Sequence, residues 1–258
     1  MSIQLSIITT TFNSASTVRD TIESVLCQTY PDIEYIIKDG GSTDSTLEIV
    51  RSYGSRFGSR MKVISRQDKG IYDGMNIGLQ AASGEVVGLL NSDDVLASPQ
   101  AVESQMKMFE DPSLDAVYAD VEYMDENLEK IVRYYSSAGF HPDRMKFGLM
   151  PAHPTFYCKK SVYERFGYFN PDYKVAADFE CLLRFLYVNR IKTAYNPTLL
   201  VRMRSGGVSS RGLVSHRQIM KEHLRAFKDN GLKNNVFRLS LRYPSKLWDL
   251  VKGKFVSE

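Results

Sequence analysis

Leu5-Ser-Ile-Ile-Thr-Thr-Thr-Phe-Asn13 is the stretch of sequence from which the fold can be worked out. Its first seven residues are mostly apolar or β-branched, and such a run can be buried on both faces, as in a parallel strand. The helical spacing of Val18, Ile22 and Val25 that follows predicts an amphipathic helix. A strand that leads into a helix in this way indicates a parallel sheet wound with helices.

The same alternation continues outward from this stretch through the first half of the chain. Further strands are predicted at residues 33–38, 61–65, 86–90 and 116–119, with helices after Ser45, over Ile71–Ala82 and after Ser98. Ser45 and Glu48 match a capping box for the first of these helices. After about residue 121 the signals weaken, and only helices at residues 161–166, 178–189 and 214–229 are predicted. The fold class is therefore α/β, with a mostly parallel, Rossmann-like sheet flanked by helices.

Composition excludes several classes of protein. The net charge of +3 is too small to indicate nucleic-acid binding, and the basic surplus lies in the last part of the chain, after Arg217. The three cysteines are far apart with no Cys-x-x-Cys pair, which argues against a disulfide framework or a structural zinc site and favours a reducing cytoplasm. No apolar run approaches the roughly 18 residues of a membrane span, and no secretory signal is visible at the N-terminus.

Three polar clusters lie where predicted strands end. They are Thr9–Asn13, Asp39–Ser42 and Asp93-Asp94. Ligands of parallel sheets bind beyond the carboxyl ends of the strands, so these clusters are expected to share one ligand.

The acidic clusters favour a nucleotide and a divalent cation. Asp93 and Asp94 repel each other unless a cation or hydrogen-bond donors neutralise them, and Mg²⁺ and Mn²⁺ prefer carboxylate oxygens. Asp39, beside two glycines, could accept hydrogen bonds from a base or a ribose. The alternatives are a surface turn at Asp93-Asp94 and a helix-entry turn at Asp39 whose carboxylate is satisfied by local amides.

The phosphate-binding motifs of two common nucleotide folds are absent from the sequence. There is neither a Gly-x-Gly-x-x-Gly after the first strand nor a Gly-x-x-x-x-Gly-Lys-Ser/Thr motif, which disfavours a dinucleotide Rossmann domain and a P-loop ATPase. A metal together with Arg66 or Lys69 could contact the phosphate instead; the alternative is that a lysine in a polar loop is simply solvated. The glycine-containing loop at residues 202–209 could close over a diphosphate, with Arg204 adding charge, or be a plain exposed loop.

Taken together, these residues resemble the family 2 glycosyltransferases of the GT-A fold. The resemblance covers roughly residues 3 to 210, and seven motifs carry it in the order of the family: Leu5–Asn13, Asp39–Thr46, Asp68–Asn76, Gly84–Asp94, His153–Phe156, Ala176–Glu180 and Gly206–Ser209. Single motifs of this kind are weak, but seven in order are highly specific.

The resemblance implies an inverting transfer of a sugar from a nucleotide-diphospho-sugar to a hydroxyl acceptor, which is a polysaccharide, a glycolipid or a lipid-linked oligosaccharide. Thr10, Phe12 and Asp39 would hold the nucleoside, with Asp39 on the base. Asp93 and Asp94 match the Asp-x-Asp region that binds ribose and the metal, Mn²⁺ or Mg²⁺. Asp178 matches the catalytic base, although its position also suits an ordinary residue at a helix N-terminus.

Two departures from the family pattern refine this prediction. Asn91 stands where many relatives carry the first Asp of Asp-x-Asp, which weakens the charge available for a metal. The Gln-x-x-Arg-Trp motif of processive members is absent, so a single addition is favoured over polymerisation. His153 could line the acceptor pocket, but a structural histidine is favoured.

The resemblance also suggests a division of the chain. Residues 1–120 form the nucleotide-sugar-binding half, residues 121–212 the acceptor-side half of the same domain, and residues 213–258 a basic, amphipathic helical tail. Basic and large apolar residues alternate in this tail, which suits peripheral association with an anionic membrane at the cytoplasmic face. Packing on the domain and an oligomer contact are the alternatives, and the oligomeric state is left open.

Two other functions are alternatives to the transfer of a sugar. A nucleotidyltransferase could use the same acidic site, but it would usually carry a basic, glycine-rich loop where this chain has residues 9–13. A non-catalytic nucleotide-sugar-binding protein would not need Asp178 together with Asp93 and Asp94.

Overall fold

The computed structural model of the chain describes residues 3–205 and 212–241, the latter without the side chains of residues 212–215. The elements in chain order are β1 (Leu5–Thr11), α1 (Val18–Leu26), β2 (Ile33–Asp39), α2 (Thr46–Ser52), α3 (Gly54–Phe57), β3 (Met61–Ser65), α4 (Ile71–Ala81), β4 (Val86–Leu89), β5 (Val95–Leu96), α5 (Ala101–Lys107), β6 (Ala116–Met124), β7 (Ile131–Tyr135), β8 (Tyr157–Lys159), α6 (Lys160–Phe166), α7 (Ala177–Leu182), β9 (Thr193–Arg204), α8 (Gly212–Asp229) and α9 (Val236–Ser240). Helix α7 continues directly as a π-helical segment, Leu183–Val188.

Within the described residues, one sheet contains all nine strands. Its order is β3-β2-β1-β4-β8-β6-β9-β5, and β7 pairs with β6. The first part, β3-β2-β1-β4, is parallel, with Thr11 opposite Asp39 at the carboxyl end of the β1–β2 pair. Strand β8 is antiparallel to both β4 and β6, and β6 is parallel to β9. The predicted α/β architecture is therefore confirmed.

The sheet is buried on both faces, which explains the nearly continuous apolar runs in its central strands. Ile7 packs on one face with α1, α2 and α5, whereas its neighbour Ile8 packs on the other face with α4, α6 and α7. Tyr35 and Ile36 divide in the same way along β2. Successive side chains of a strand point to opposite faces, so a strand covered by helices on both sides has no polar stripe.

Helix α4 lies unusually close to the sheet because Gly78 has no side chain. A Cβ atom at this position would lie 2.4 Å from Ile8 Cγ2. The close approach fixes the N-terminal end of α4 over the ends of β1 and β2, and this is the edge where the polar clusters lie.

The sequence predicted the second half less well. Strand β6 runs five residues beyond the predicted Ala119 and crosses the predicted division at residue 120, so both halves share one sheet. Strands β7 and β9 were not predicted. Ser45 is the N-cap of α2 but makes no side-chain capping bond; Asp44 Oδ1 instead accepts from the Thr46 amide at 3.0 Å.

Candidate active site

The loops after β1 and β2 are tied together at the carboxyl edge of the sheet. Asn13 has a left-handed backbone with φ of 48°, which an asparagine tolerates better than most residues. Its amide donates to Ser42 Oγ (2.9 Å), and its side-chain oxygen accepts from the Thr43 amide (2.9 Å). Beside this junction the Phe12 ring is 63% exposed, an unusual position for a large apolar side chain. The structure thus brings Thr10, Phe12 and the Asp39 loop together, as predicted.

Asp39 is buried at the centre of its own loop. Its carboxylate accepts from Gly41 N (3.0 Å), from the amide and hydroxyl of Ser42 (3.2 and 2.5 Å) and from Ser65 Oγ (3.0 Å). Burial opposes ionisation, but these hydrogen bonds outweigh it and lower the pKa of Asp39. The carboxylate therefore holds the loop in shape, and its predicted contact with the base stays a prediction.

Asp93 and Asp94 follow β4 and differ in environment. Asp94 is 1% exposed; its oxygens accept from Asn91 Nδ2 (3.0 Å) and from the Arg204 amide (3.2 Å). Burial, together with the charge of Asp93, raises the pKa of Asp94 to about 8. Burial also raises the pKa of Asp93, against the opposing charge of Arg204. Asp93 is the more open of the two carboxylates.

Arg204, the last residue of β9, lies beside this acidic pair because β9 pairs with β5, the strand that follows Asp94. Its Nε donates to the Asp93 carbonyl (3.2 Å), Nη2 pairs with Asp20 (2.7 Å) and Nη1 donates to the Glu126 carbonyl. The guanidinium is thus occupied by protein oxygens and braces the turn. The glycines of the predicted closing loop, residues 206–209, lie outside the described residues.

Arg66 and Lys69 are not brought to the acidic pair. Both are exposed in the loop after β3. Strands β2 and β1 separate that loop from β4, which leads to Asp93 and Asp94. A phosphate contact by either residue therefore stays a prediction.

Asp178 lies in the first turn of α7 on the wall of a cavity of about 210 Å³. Its side chain is 19% exposed, and His153 Nδ1 lies 3.5 Å from Asp178 Oδ2. The sequence favoured a structural role for His153, but the structure places it on the cavity wall. Tyr123 also lines this cavity. Burial raises its pKa, Arg133 opposes this, and the charges of Asp94 and Asp178 raise it further.

Other residues of this region were missed by the sequence interpretation. Arg133 lines the cavity and lies over the rings of Tyr123 and Tyr135, at 5.7 and 5.5 Å. Behind α7, the Glu222 carboxylate accepts from the amides of residues 174–176 at 2.8 to 3.0 Å, so α8 holds the segment that leads to Asp178. A charged residue inside an amphipathic helix gives no sign of such a distant contact.

No complete metal site is preformed in the part of the chain that the structure describes. No group of three or more His, Cys, Asp or Glu side chains is placed there so that it could hold an ion by itself. Likewise, no described helix is long and apolar enough to span a membrane.

Comparison with known proteins assigns this arrangement to a family. The model of Glycosyl transferase family 2 matches residues 6–169, which include β1 to β4 and both acidic clusters. The chain belongs to glycosyl transferase family 2. The predicted function, a glycosyltransferase that uses a nucleotide sugar, is thereby confirmed at the level of the family.

Named relatives of this glycosyltransferase are bacterial. The chain is 29% identical over 225 residues to the PGL/p-HBAD biosynthesis glycosyltransferase of Mycobacterium bovis, covering 85% of this chain and 82% of that protein. It is also 29% identical over 183 residues to the chondroitin synthase of Pasteurella multocida, covering 70% of this chain but 18% of that protein.

Two solved structures share the fold at low sequence identity. S. aureus TarS 1-349 in complex with UDP-GlcNAc superposes with a TM-score of 0.71 and 19% identity, over 90% of this chain and 68% of that chain. The mannosyltransferase PcManGT from Pyrobaculum calidifontis, in complex with GDP-Man and Mn2+, gives a TM-score of 0.65 and 17% identity, over 89% of this chain and 64% of that chain. The predicted GT-A fold is confirmed by these likenesses.

Proposed function

We propose that this enzyme transfers a sugar from a nucleotide-diphospho-sugar to a hydroxyl acceptor with inversion, and that Asp178 is the general base. The observation that carries the proposal is the position of Asp178. It is a partly exposed carboxylate on a cavity wall, and the charges of both Asp178 and Asp94 act on Tyr123, which lines the same cavity. Donor and acceptor can therefore meet between the two carboxylate groups.

The donor nucleoside belongs at the ends of β1 and β2, with Thr10, Phe12 and the Asp39 loop around it. An exposed aromatic ring beside polar backbone suits the stacking of a base. The UDP-GlcNAc bound to TarS and the GDP-Man bound to PcManGT support a nucleotide-sugar donor but differ in the base.

A divalent cation, Mn²⁺ or Mg²⁺, would be held by Asp93 and Asp94. The residues fit such an ion: both ligands are carboxylates, Asp93 is the more open of the two, and burial together with the charge of Asp93 raises the pKa of Asp94, a cost that a cation would offset. Such cations commonly use one or two carboxylates and complete their coordination with substrate phosphates and water. When bound, the cation would stabilise the negative charge of the leaving diphosphate. The Mn2+ in the PcManGT complex supports this proposal.

The chemistry assigned to Asp178 is a proton transfer. The acceptor oxygen forms a bond to the anomeric carbon as the bond from that carbon to the diphosphate oxygen breaks, and the electron pair leaves with the diphosphate. The hydroxyl proton passes to an Asp178 carboxylate oxygen. Because the attack comes from the face opposite the diphosphate, the anomeric configuration inverts, and no covalent sugar–enzyme intermediate is needed.

The acceptor is assigned to the cavity beside Asp178, and we propose a glycan or a lipid-linked oligosaccharide of bacterial glycan biosynthesis. The names of the relatives support this class. Action at the cytoplasmic face of an anionic membrane would depend on the basic tail, of which residues 242–258 lie outside the described part of the chain.

Donor binding and turnover test this proposal. The thermal stability of the protein is measured against UDP-, GDP- and dTDP-sugars, each with and without Mn²⁺. A ligand at about 100 times its dissociation constant is expected to add about 2.7 kcal/mol to the free energy of unfolding. With the stabilising donor, Asp178→Asn should lower the turnover by about 10²- to 10⁴-fold and leave the nucleotide affinity unchanged. Unchanged turnover would remove Asp178 from the mechanism.

A further inference from the structure

We propose that Asp68, and not Asp39, is the carboxylate that recognises the nucleobase of the donor. This inference rests on the proposed function, because it requires a nucleoside at the carboxyl ends of β1 to β3. It names a residue to which the sequence interpretation gave no role.

The Asp39 carboxylate already accepts nearly as many hydrogen bonds as it can. Four donors from Gly41, Ser42 and Ser65 already surround its carboxylate, and a fifth, Thr11 Oγ1, lies 3.3 Å from Asp39 Oδ1. A carboxylate has about four acceptor positions, and the Asp39 residue is 0% exposed. A base could reach it only by breaking the loop that Asp39 holds.

Asp68 lies in the neighbourhood of the residues that are predicted to hold the nucleoside. Its carboxylate lies against two glycines: a Cβ atom at Gly40 or at Gly74 would be 3.1 Å from Asp68 Oδ2. The same Cβ positions lie near the predicted nucleoside residues, 3.5 Å from the Phe12 ring at Gly40 and 3.3 Å from Thr10 Cγ2 at Gly74. The Asp68 carboxylate therefore lies against both glycines, in the neighbourhood of Thr10 and Phe12.

A buried cation, the ammonium of Lys38, holds Asp68 in place. The Lys38 side chain is 0% exposed, and its ammonium donates to the carbonyls of Asp39 (2.7 Å) and Arg66 (2.8 Å) and to Asp68 Oδ2 (2.5 Å). All three of its protons are used. The other oxygen, Asp68 Oδ1, accepts from the Gly70 amide at 3.1 Å.

These contacts leave Asp68 able to accept further hydrogen bonds. Each of its oxygens has one of these partners, whereas a carboxylate oxygen can accept two, and its side chain is 14% exposed. An ion pair that served only to neutralise Lys38 would not require two glycines and the exposed Phe12 ring beside it. The arrangement is that of a fixed acceptor facing a site.

The chemistry of an ionised carboxylate defines which bases it favours. It accepts hydrogen bonds and donates none, so it recognises a base with a ring N–H: N3–H of uracil or thymine, or N1–H and the amino group of guanine. Cytosine and adenine present a ring nitrogen acceptor there, which a carboxylate opposes. We therefore expect a donor based on uridine, thymidine or guanosine.

The test is calorimetric binding of UDP, dTDP, GDP, CDP and ADP in the presence of Mn²⁺. For the wild type, one of UDP, dTDP or GDP should bind at least about 10-fold more tightly than CDP and ADP. Asp68→Asn should weaken that nucleotide by about 10- to 100-fold and raise the affinity for CDP relative to it, because an amide can both donate and accept. The matched control is Asp73→Asn in the same segment, whose carboxylate accepts from the Lys69 amide at 3.0 Å; it should keep the wild-type order of bases.

A second variant covers the case in which Asp68→Asn fails to fold with Lys38 buried and unpaired. The double variant Lys38→Met, Asp68→Asn removes both charges together and should show the same loss of base preference. If the folded variant keeps the wild-type affinities and order of bases, this inference is overturned and the donor site stands. If the wild type binds none of the five nucleotides, the proposed function itself fails, and this inference with it.

Discussion

Replacing Glu222 by glutamine tests whether α8 positions the general base. The Glu222 carboxylate is 4% exposed and makes four hydrogen bonds. Oε2 accepts from the amides of Val175 (3.0 Å) and Ala176 (2.8 Å), and Oε1 accepts from Lys174 N (2.9 Å) and Gln218 Nε2 (2.8 Å). In Glu222→Gln one oxygen becomes an amino group, which faces two donors whichever way the amide is turned.

The size of the effect follows from those two orphaned donors. A buried donor that loses its partner costs about 1–3 kcal/mol, so Glu222→Gln should lower the free energy of unfolding by roughly 2–6 kcal/mol. That is a large part of a typical total of about 5–15 kcal/mol. Because the freed amides lie immediately before α7, the Asp178 carboxylate should also lose its fixed position.

Acidification should reveal the same interaction. Burial opposes ionisation of Glu222, but hydrogen bonds from Gln218 and the three amides outweigh it and lower its pKa. As the pH falls below about 4.5, the unfolded state binds a proton that the folded carboxylate refuses, so stability is lost as the pH falls through the depressed folded pKa. Since glutamine does not titrate, the difference in stability between wild type and variant should shrink over this range.

Urea denaturation at pH 7 and at pH 3.5, together with donor turnover and nucleotide affinity, checks this reasoning. We expect a lower turnover with unchanged affinity. Glu164→Gln is the matched control, since that carboxylate is 55% exposed and pairs with Lys160 at 3.7 Å; it should change stability by less than about 0.5 kcal/mol. A Glu222→Gln variant as stable and as active as the control would refute the positioning role.

Three further changes test other parts of the structure. Gly78→Ala should destabilise the protein by about 1–3 kcal/mol in urea denaturation, because the added methyl group would lie 2.4 Å from Ile8 Cγ2; an unchanged stability would contradict the close packing of α4. Asp94→Asn should make the metal-free protein more stable at pH 9, and less so as the pH falls towards 4, because the folded Asp94 with its pKa near 8 retains a proton that the unfolded chain releases; thermal melts with equal pH dependence for both proteins would oppose this. Asp39→Asn should lower stability by about 1–3 kcal/mol without reversing the order of nucleotide affinities, and a reversed order would return the base contact to Asp39.

The first half of the fold could be predicted because local sequence determines it. Strands β1, β2 and β4 are short, largely apolar runs that end in polar clusters, and parallel strands necessarily bring such ends to one edge. This reasoning correctly placed Thr10, Phe12 and the Asp39 loop side by side. Strands β7 and β9 were not predicted because β7 is a largely exposed edge strand and β9 is mostly half-buried, without a regular alternation of buried and exposed residues.

The contacts that decide the site could not be predicted, because they join distant parts of the chain. Arg204 meets Asp94 across 110 residues, and Glu222 reaches back 46 residues to Ala176. The sequence indicates no role for Asp68 beyond membership of a motif, because nothing local shows that the buried Lys38 would hold it. The glycine at position 40 was the available signal: a missing side chain next to an acidic loop indicates that another group fills the space.

The anomeric configuration of the released sugar tests the central claim most directly. The nucleotide sugar that stabilises the protein in thermal melts is incubated with the enzyme, and water serves as the acceptor. Proton NMR records the first sugar released, before its two anomers interconvert. We expect the wild type to release the anomer opposite to that of the donor, and Asp178→Asn to release sugar at least about 100-fold more slowly with the same nucleotide affinity. Release of the anomer with the donor's configuration, or an unimpaired Asp178→Asn variant, would contradict inversion by a single displacement with Asp178 as the base.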